Sequence, residues 1–212
     1  MPRGVYLVGV AGGSGSGKTS LVRAVQAGLP AGMASIISQD DYYRPIEAQA
    51  IDPNGEVNFD LPAGVDLDAL VTDLDRLTRG KPIQRKEYTF NNASREAALV
   101  EMLPAPVVLV EGLFVLHHAA LRELFDLRVY VEASEDTQLD RRLRRDTVER
   151  GYGREQVLYQ WEHHVLPAYR DYLLPYRHLC DLHVVNEQSF DRAVPVLCAH
   201  LRGAVAAALA QV

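Results

Sequence analysis

Cysteine is scarce in this sequence, and positive charge is in deficit. Only Cys180 and Cys198 occur among 212 residues, and they form no C-x-x-C pair. A reduced, cytoplasmic setting is therefore the economical interpretation. The formal net charge of −6 argues against a general nucleic-acid-binding protein, because such proteins need a basic surface to displace counterions from phosphates.

Long hydrophobic runs are also absent from the sequence. No run approaches the roughly 18 apolar residues of a membrane span, so we expect no membrane-bound form. The apolar stretch at residues 4–10 resembles a short signal peptide, but cleavage there would destroy the motif that follows, so we do not expect secretion. With 48% hydrophobic residues and no internal repeat, residues 1–212 predict a single domain.

Short apolar runs alternate with helical patterns along the chain. The helical patterns cover residues 18–29, 66–79 and 134–150, and the last begins with Ser134 as N-cap and ends before Gly151. Such alternation predicts an α/β fold with a parallel sheet and right-handed crossovers. The five runs that read as buried strands are residues 5–10, 34–38, 107–110, 127–131 and 182–185.

Residues 81–104 interrupt this rhythm. They have no 3.6-residue period, and Asn91-Asn92 lies between two partly alternating segments, which predicts an inserted β-hairpin. An insertion of this kind is a common place for substrate selection, although a surface embellishment is equally frequent.

The strongest motif is glycine-rich and lies between the first strand and the first helix. It fits G-x-x-x-x-G-K-[ST], the P-loop, in the strand–loop–helix context that the motif requires. Its backbone N–H groups would surround phosphate oxygens, Lys18 would reach the β and γ phosphates, and the Thr19 hydroxyl would bind Mg²⁺. The chain is therefore expected to bind a nucleoside triphosphate through Gly12, Gly13, Ser14, Gly15, Ser16, Gly17, Lys18 and Thr19.

Two further strands end in carboxylates. The run VVLVEG places Glu111 at the end of an apolar strand, and behind a P-loop such a glutamate is expected to bind Mg²⁺ through water. The stretch SQDDYY places Asp40 and Asp41 directly after residues 34–37. These aspartates are either ordinary turn residues or include one that meets a substrate hydroxyl.

Arginine is concentrated in residues 139–154, which read LDRRLRRDTVERGYGR. One interpretation is a solvated helix face with i,i+4 ion pairs. The other is a mobile lid over phosphates at residues 141–154, because Arg142 and Arg145 share a helical face and arginine can fork onto phosphate oxygens. The presence of a P-loop favours the lid.

Seven fragments in series resemble the uridine kinase family, a branch of P-loop kinases that also includes phosphoribulokinase and pantothenate kinase. The resemblance implies a P-loop NTPase fold with a five-stranded parallel sheet, an inserted β-hairpin over the nucleoside and an arginine-rich lid over ATP. The fragments are GGSGSGKTS, SQDDYY, NFDLPAGVD, EYTF, VVLVEGLFVL, LDRRLRRDTVERG and QWEHHVLPAYRDYLLPYRHLCDLHVV.

The resemblance assigns roles to individual residues. Asp40 matches the general base for the acceptor 5′-hydroxyl and lies near Mg²⁺. Asp60 matches the carboxylate that accepts hydrogen bonds from the ribose hydroxyls. Arg142 matches an arginine near the donor and acceptor groups, and Arg145 and Arg150 match lid residues. Tyr42 and Tyr43 are expected to wall the acceptor pocket, which Tyr88, Phe90 and Gln160 would also line.

Two positions depart from the family pattern at the end of the site that binds the base. Ala93 stands where the family has a histidine that hydrogen-bonds the pyrimidine, and Tyr152 stands where it has an arginine. A site that loses donors for one base should change or relax its selectivity. Asn91, Asn92 or Arg154 could substitute for the lost contacts.

Three functional hypotheses follow from these residues. The first is ATP-dependent phosphorylation of a nucleoside, with uridine or cytidine as favoured acceptor and Mg²⁺ as cofactor. The second is a kinase of the same architecture that acts on nicotinamide riboside, pantothenate or a sugar phosphate. The third is a nucleotide-binding switch, which the absence of an N-K-x-D signature makes less favoured. The resemblance also suggests a homo-oligomer.

Overall fold

A computed structural model describes residues 4–89 and 96–210 of the chain. Five strands form a parallel sheet in the order β2-β7-β1-β8-β9. Each of the five predicted apolar runs is one of these strands, so the predicted sheet is confirmed. The strands are β1 (Tyr6–Gly12), β2 (Ala34–Ser38), β7 (Val107–Glu111), β8 (Leu127–Glu132) and β9 (Leu182–Val185).

Two small antiparallel strand pairs accompany the sheet. One pairs β3 (Ala50–Ile51) with β4 (Val57–Asn58), and sequence reasoning missed it because both strands have only two residues. The other pairs β5 (Ile83–Lys86) with β6 (Leu99–Met102), with Ile83 opposite Met102 and Lys86 opposite Leu99. The second pair is the hairpin that the sequence predicts as an insertion.

Helices flank the sheet on both faces. The three predicted helices are present as α1, α2 and α4, and α4 begins after Ser134, whose hydroxyl accepts a hydrogen bond from the Thr137 N–H. The helices are α1 (Lys18–Ala27), α2 (Leu67–Thr78), α3 (Ala119–Leu124), α4 (Glu135–Val148), α5 (Arg154–Gln160), α6 (Leu166–Ala168), α7 (Leu174–Arg177) and α8 (Ala193–Leu209).

The helical stretch from α5 to α7 contains two π-helical segments, Trp161–Val165 and Tyr169–Leu173. Each precedes a proline, Pro167 or Pro175. Proline lacks an N–H and its ring clashes with the carbonyl four residues earlier, so a wider turn before it lets the helix continue. The prolines and the π turns before them also interrupt the 3.6-residue period, so the sequence pattern does not predict this helix.

The core is divided by the sheet into two layers. Alternate strand residues point to opposite faces, so Leu7 and Val108 pack with α2 and α3, whereas Val8 and Leu109 pack with α1 and α8. Burial on both faces accounts for the near-continuous apolar sequences of β1 and β7. Within the described ranges, no helix is both long and apolar enough to cross a membrane.

The carboxyl ends of three neighbouring strands meet at one edge of the sheet. Glu111 at the end of β7 is in register with Val10 of β1 on one side and with Ser38 of β2 on the other. In parallel α/β sheets this edge is where ligands bind. The P-loop, the SQDDYY stretch and Glu111 therefore share one site.

Candidate active site

The P-loop connects β1 to α1 and forms a tight turn of backbone. Gly15 and Gly17 have φ angles of 80° and 98°, which residues with a side chain rarely adopt. The Ser16 N–H donates to the Gly13 carbonyl over 3.1 Å. The Lys18 ammonium, which is buried, donates to the same carbonyl over 3.0 Å. The loop is thus closed on itself with Lys18 at its centre.

Close neighbours also require glycine in this loop. A Cβ on Gly15 would lie 2.3 Å from the backbone oxygen of Gln138 on α4, and one on Gly17 would lie 2.3 Å from the Asn186 amide nitrogen. Asn186, directly after β9, donates from that amide to the Ser16 carbonyl over 2.8 Å. Sequence reasoning missed Asn186, for which the only signal was its place after a parallel strand.

Charged groups from four other segments lie around Lys18. Burial lowers the pKa of the Lys18 ammonium, and the Arg145 charge acts in the same direction. The carboxylates of Glu111, Asp40 and Asp60 oppose this change in pKa because they favour the ammonium form. The structure therefore brings together predicted residues from the P-loop, the SQDDYY stretch, the NFDLP fragment, β7 and the lid.

Hydroxyl and carboxylate oxygens converge beside the P-loop. The Thr19 hydroxyl donates to Glu111 Oε1 over 3.1 Å, and the Ser38 hydroxyl donates to the same oxygen over 3.0 Å. Asp40 lies in the 3₁₀ turn Gln39–Tyr42, which Ser38 caps, and its N–H donates to the Ser38 hydroxyl over 3.3 Å. The two carboxylates are close enough for the Glu111 charge to raise the pKa of Asp40.

These oxygens fit a hard divalent cation. Mg²⁺ prefers oxygen ligands and is usually bound by one or two carboxylates together with substrate phosphates and water. Thr19, Glu111 and Asp40 supply such a set. No group of three or more His, Cys, Asp or Glu side chains that could hold a metal by itself occurs in residues 4–89 and 96–210.

Asp40 has an unusually basic carboxylate for an aspartate. Burial, and then the nearby Glu111 charge, raise its pKa to about 6, although Lys18, Arg150 and Arg145 act in the opposite direction. A base is more effective as its pKa approaches the working pH. Asp40 is therefore better suited to accept a proton than an aspartate with a pKa near 4.

We expect the Asp40 carboxyl to titrate at about pH 6 in the free protein. Its pKa is raised, so the carboxylate is present above this pH and is lost as the pH falls through it. Bound Mg²⁺ should move the midpoint lower, because a cation favours the carboxylate. Carbon NMR of aspartate-labelled protein should show this titration, and the D40N variant should lack it. A midpoint near 4 without Mg²⁺ would contradict the assigned environment.

The lid arginines converge on one buried carboxylate. Arg145 Nε donates to Asp146 over 2.7 Å, and nitrogens of Arg142 and Arg150 each lie 3.2 Å from an Asp146 oxygen. Burial alone would raise the pKa of Asp146, but the hydrogen bond from Arg145 and the three positive charges outweigh it and lower the pKa. The structure places three predicted lid residues around Asp146, which is 1% exposed. These arginines therefore do not form the solvated helix face that was the alternative interpretation.

Arg142 connects the lid to both halves of the site. Its guanidinium donates to the Ser14 hydroxyl of the P-loop over 3.0 Å and to Gln160 Oε1 on α5 over 3.2 Å. The side chain of Arg142 is buried. Three predicted site residues from distant parts of the sequence are therefore in direct contact.

Aromatic rings form one wall beside Asp40 and Asp60. The rings of Tyr43 and Tyr88 are 5.1 Å apart, and Phe59 packs edge-on to Tyr43 at 5.9 Å. Burial, and then the charges of Asp40 and Asp60, raise the pKa of Tyr43. Sequence reasoning missed Phe59, whose signal was its position beside Asp60.

Tyr42 has a different place from the one expected of it. The sequence predicts that it walls the pocket together with Tyr43, but its ring is 3% exposed and belongs to the core. Its hydroxyl donates to Asp73 of α2 over 3.0 Å, and the guanidinium of Arg85 lies 4.0 Å from its ring centre. Tyr42 ends the 3₁₀ turn Gln39–Tyr42 and Tyr43 is the first residue after it, so the backbone changes direction between the two tyrosines and only Tyr43 packs with the rings beside the site.

The residues expected near the base are only partly described. Phe90 and Ala93, and the alternative contacts Asn91 and Asn92, lie outside the described residues. Tyr152 is close to Tyr88, since burial and then Tyr152 raise the pKa of Tyr88 to about 12. Tyr152 also lines an open cleft of about 590 Å³ on the outer side of α4, together with Asp140, Leu143, Arg144, Thr147 and Arg154.

Comparison with known proteins points to one family. A sequence model of the Phosphoribulokinase / Uridine kinase family matches residues 7–191. A uridine kinase from Deinococcus deserti is 36% identical over 93% of this chain and 95% of its own length. One from Staphylococcus epidermidis is 31% identical over 94% and 96%.

The fold also matches solved kinase structures. A structure described as a possible uridine kinase from Bacillus stearothermophilus superposes with a TM-score of 0.59 and 16% identity. The match covers 86% of this chain and 90% of that one. A likeness at this level of identity concerns the fold alone.

Proposed function

Because the chain belongs to the Phosphoribulokinase / Uridine kinase family, we propose that it transfers the γ-phosphoryl group of ATP to the 5′-hydroxyl of a nucleoside, with uridine or cytidine as favoured acceptor. The observation that carries this proposal is the arrangement beside the P-loop, where Thr19 and Ser38 donate to Glu111 and the Asp40 N–H donates to Ser38. The charges of Glu111, Asp40 and Asp60 act on Lys18 at the same place. A phosphate-binding lysine, a base and a carboxylate for an acceptor hydroxyl are together what phosphoryl transfer to an alcohol needs.

The P-loop and Lys18 bind the triphosphate. The N-terminus of α1 and the loop amides favour negative charge, and Lys18 adds a point charge at the β and γ phosphates. Thr19, Glu111 and Asp40 would hold Mg²⁺, which neutralises phosphate charge when it is bound. The Thr19 and Ser38 hydroxyls orient Glu111 for this purpose.

Asp40 and Asp60 bind the acceptor. Asp60 is 7% exposed and accepts hydrogen bonds from the ribose hydroxyls. Asp40 accepts the hydrogen bond of the 5′-hydroxyl, holds its oxygen in line with the γ-phosphorus and takes the proton as the new P–O bond forms. Tyr43 and Tyr88 pack against the nucleoside and exclude water, which would otherwise compete as acceptor.

The lid arginines act on the transferring group. Arg142 already contacts the P-loop at Ser14 and the acceptor side at Gln160. Arg145 and Arg150 share Asp146 with it. Closure of residues 141–154 would direct these charges at the phosphoryl oxygens, where charge is spread in the transition state.

The expected preference for uridine or cytidine as acceptor rests on the similarity to uridine kinases. Ala93 lacks the donor that the family pattern has, and Tyr152 offers a phenol instead of a guanidinium. A ribose-binding carboxylate at Asp60 favours a nucleoside over pantothenate. A cytoplasmic location and a homo-oligomeric form complete the proposal, and the acidic net charge supports a small-molecule acceptor over nucleic acid.

ADP release from ATP and Mg²⁺ tests this function. The acceptors are uridine, cytidine, adenosine, guanosine, nicotinamide riboside, pantothenate and ribulose 5-phosphate, each at equal concentration. We expect turnover with uridine or cytidine. Turnover only with another acceptor would mean that the base end has a different substrate, and no turnover with any acceptor would favour the nucleotide switch.

Substitution of Asp60 by alanine should raise the acceptor KM and leave the ATP KM unchanged. The carboxylate would be lost from the acceptor side only, and a hydrogen bond to a charged group contributes about 1.5–3 kcal/mol, or roughly 10- to 150-fold in KM. Initial-rate kinetics with each substrate varied in turn measure both constants. An acceptor KM equal to that of the unmodified enzyme would exclude the ribose contact.

A further inference from the structure

A second cluster of polar side chains lies apart from the P-loop, at the turn between β3 and β4. Asp52 is at its centre. One carboxylate oxygen, Oδ1, accepts hydrogen bonds from the N–H groups of Asn54 and Glu56, both over 2.9 Å. These bonds fix the turn, in which Gly55 has a φ of 87°.

The other oxygen of Asp52 reaches across to the helical stretch that follows the lid. Oδ2 accepts from the Tyr159 hydroxyl over 2.6 Å and lies 2.8 Å from His164 Nε2. The Asn54 amide completes the cluster by donating to the Tyr159 oxygen over 2.6 Å. Four donors thus meet one carboxylate. The hydrogen bond from Tyr159, and after it the hydrogen bond from His164, hold the pKa of Asp52 below its usual range.

This contact is shielded from water and joins distant parts of the chain. The side chains of His164 and Asp52 are 2% and 10% exposed, so the hydrogen bond between them is not a surface contact of negligible strength. His164 lies within the π-helical segment Trp161–Val165. Because a π turn rotates the residues after it relative to an α-helix, the widened helix before Pro167 sets the direction of His164.

Both partners of the contact are next to predicted acceptor residues. β4 ends at Asn58 and leads through Phe59 to Asp60. On the other side, Gln160 follows Tyr159 and accepts from Arg142. The position of Asp60 relative to Gln160 therefore depends on how the β3–β4 pair is held against the helical stretch that begins with α5.

We propose that Asp52, Tyr159 and His164 form a latch that sets the geometry of the acceptor pocket. They are positioning residues, since they act through Asp60 and Gln160, and the inference rests on the proposed nucleoside kinase function. With the latch intact, the pocket is formed before the acceptor arrives. Without the latch, the β3–β4 pair has to be ordered when the acceptor binds, and this cost lowers the acceptor affinity.

The test compares Tyr159→Phe and His164→Leu with the matched control His163→Leu. His163 is the exposed neighbour of His164, and it contacts the Tyr159 ring at 4.4 Å but makes no hydrogen bond to Asp52 among the described contacts. We expect both latch variants to raise the acceptor KM roughly tenfold, the effect of losing a hydrogen bond to a charged group. The ATP KM and kcat should stay as in the unmodified enzyme.

His164→Gln should restore the acceptor KM, because its amide can donate to Asp52. A merely structural role gives a different pattern: a lower Tm and less active enzyme, hence a lower apparent kcat, with the acceptor KM unchanged. That pattern in Tyr159→Phe, which removes only a hydroxyl, would overturn the latch even if His164→Leu does not fold. An unmodified enzyme that phosphorylates no nucleoside would overturn the proposed function and the latch together.

Discussion

Substitution of Asp40 by asparagine should lower kcat by roughly 10²- to 10⁴-fold, the usual contribution of a positioned base. Asparagine has the same shape and can still hold the acceptor hydroxyl, but it cannot take the proton. ATP affinity should change little, because the P-loop and Lys18 carry most of that binding. The Tm should not fall, because burial already disfavours the ionised form of Asp40 and raises its pKa.

Steady-state kinetics and equilibrium ATP binding measure these effects separately. Asp68→Asn is the matched control, since its carboxylate is 89% exposed and lies on α2. Turnover of the D40N variant at the rate of the unmodified enzyme would refute the role of Asp40 as base. Loss of ATP binding with unchanged kcat would assign it to the metal site alone.

Substitution of Arg142 by lysine should lower kcat on the order of 10²- to 10³-fold, the effect of removing one donor that acts on transition-state charge. Lysine keeps the positive charge beside Asp146 but cannot donate to Ser14 and Gln160 at the same time, as the guanidinium does. The ATP KM should change much less than kcat, because the contact is most valuable while the phosphoryl group is transferred.

Arg144→Lys is the matched control on the same helix. Arg144 is exposed, and the contacts with Ser14 and Gln160 are made by Arg142, so the same chemical change at Arg144 should leave kcat and both KM values unchanged. Circular dichroism of both variants checks that α4 is intact. Equal kinetics for the two variants would mean that Arg142 has no role in phosphoryl transfer.

The middle of the central sheet could be predicted because β1 and β7 are buried on both faces. This burial makes the strand sequences almost entirely apolar, as in VVLV at residues 107–110. The helical stretch from α5 to α7 could not be predicted in the same way, because Pro167 and Pro175 signal helix ends and the π turns that accommodate them shift the apolar period.

The phosphate end of the site was predictable because it lies within one short motif. The predicted acceptor residues are linked by contacts between separate segments of the sequence, such as Asp52 with His164 and Arg142 with Gln160. Residues 141–154 illustrate this difference between local and distant contacts. Their arginines can be read from the sequence, but the burial of Asp146 among them depends on packing that helical spacing alone does not reveal.

Phosphorus NMR of the reaction products shows directly where the γ-phosphoryl group of ATP is transferred. The protein is incubated with ATP, Mg²⁺ and either uridine or cytidine, and the position of the transferred phosphoryl group is read from its coupling to the ribose protons. A kinase that acts on the 5′-hydroxyl gives a nucleoside 5′-monophosphate and an equal amount of ADP, which is the result we expect. ADP with only inorganic phosphate, or a phosphate on the 2′- or 3′-oxygen, would contradict it.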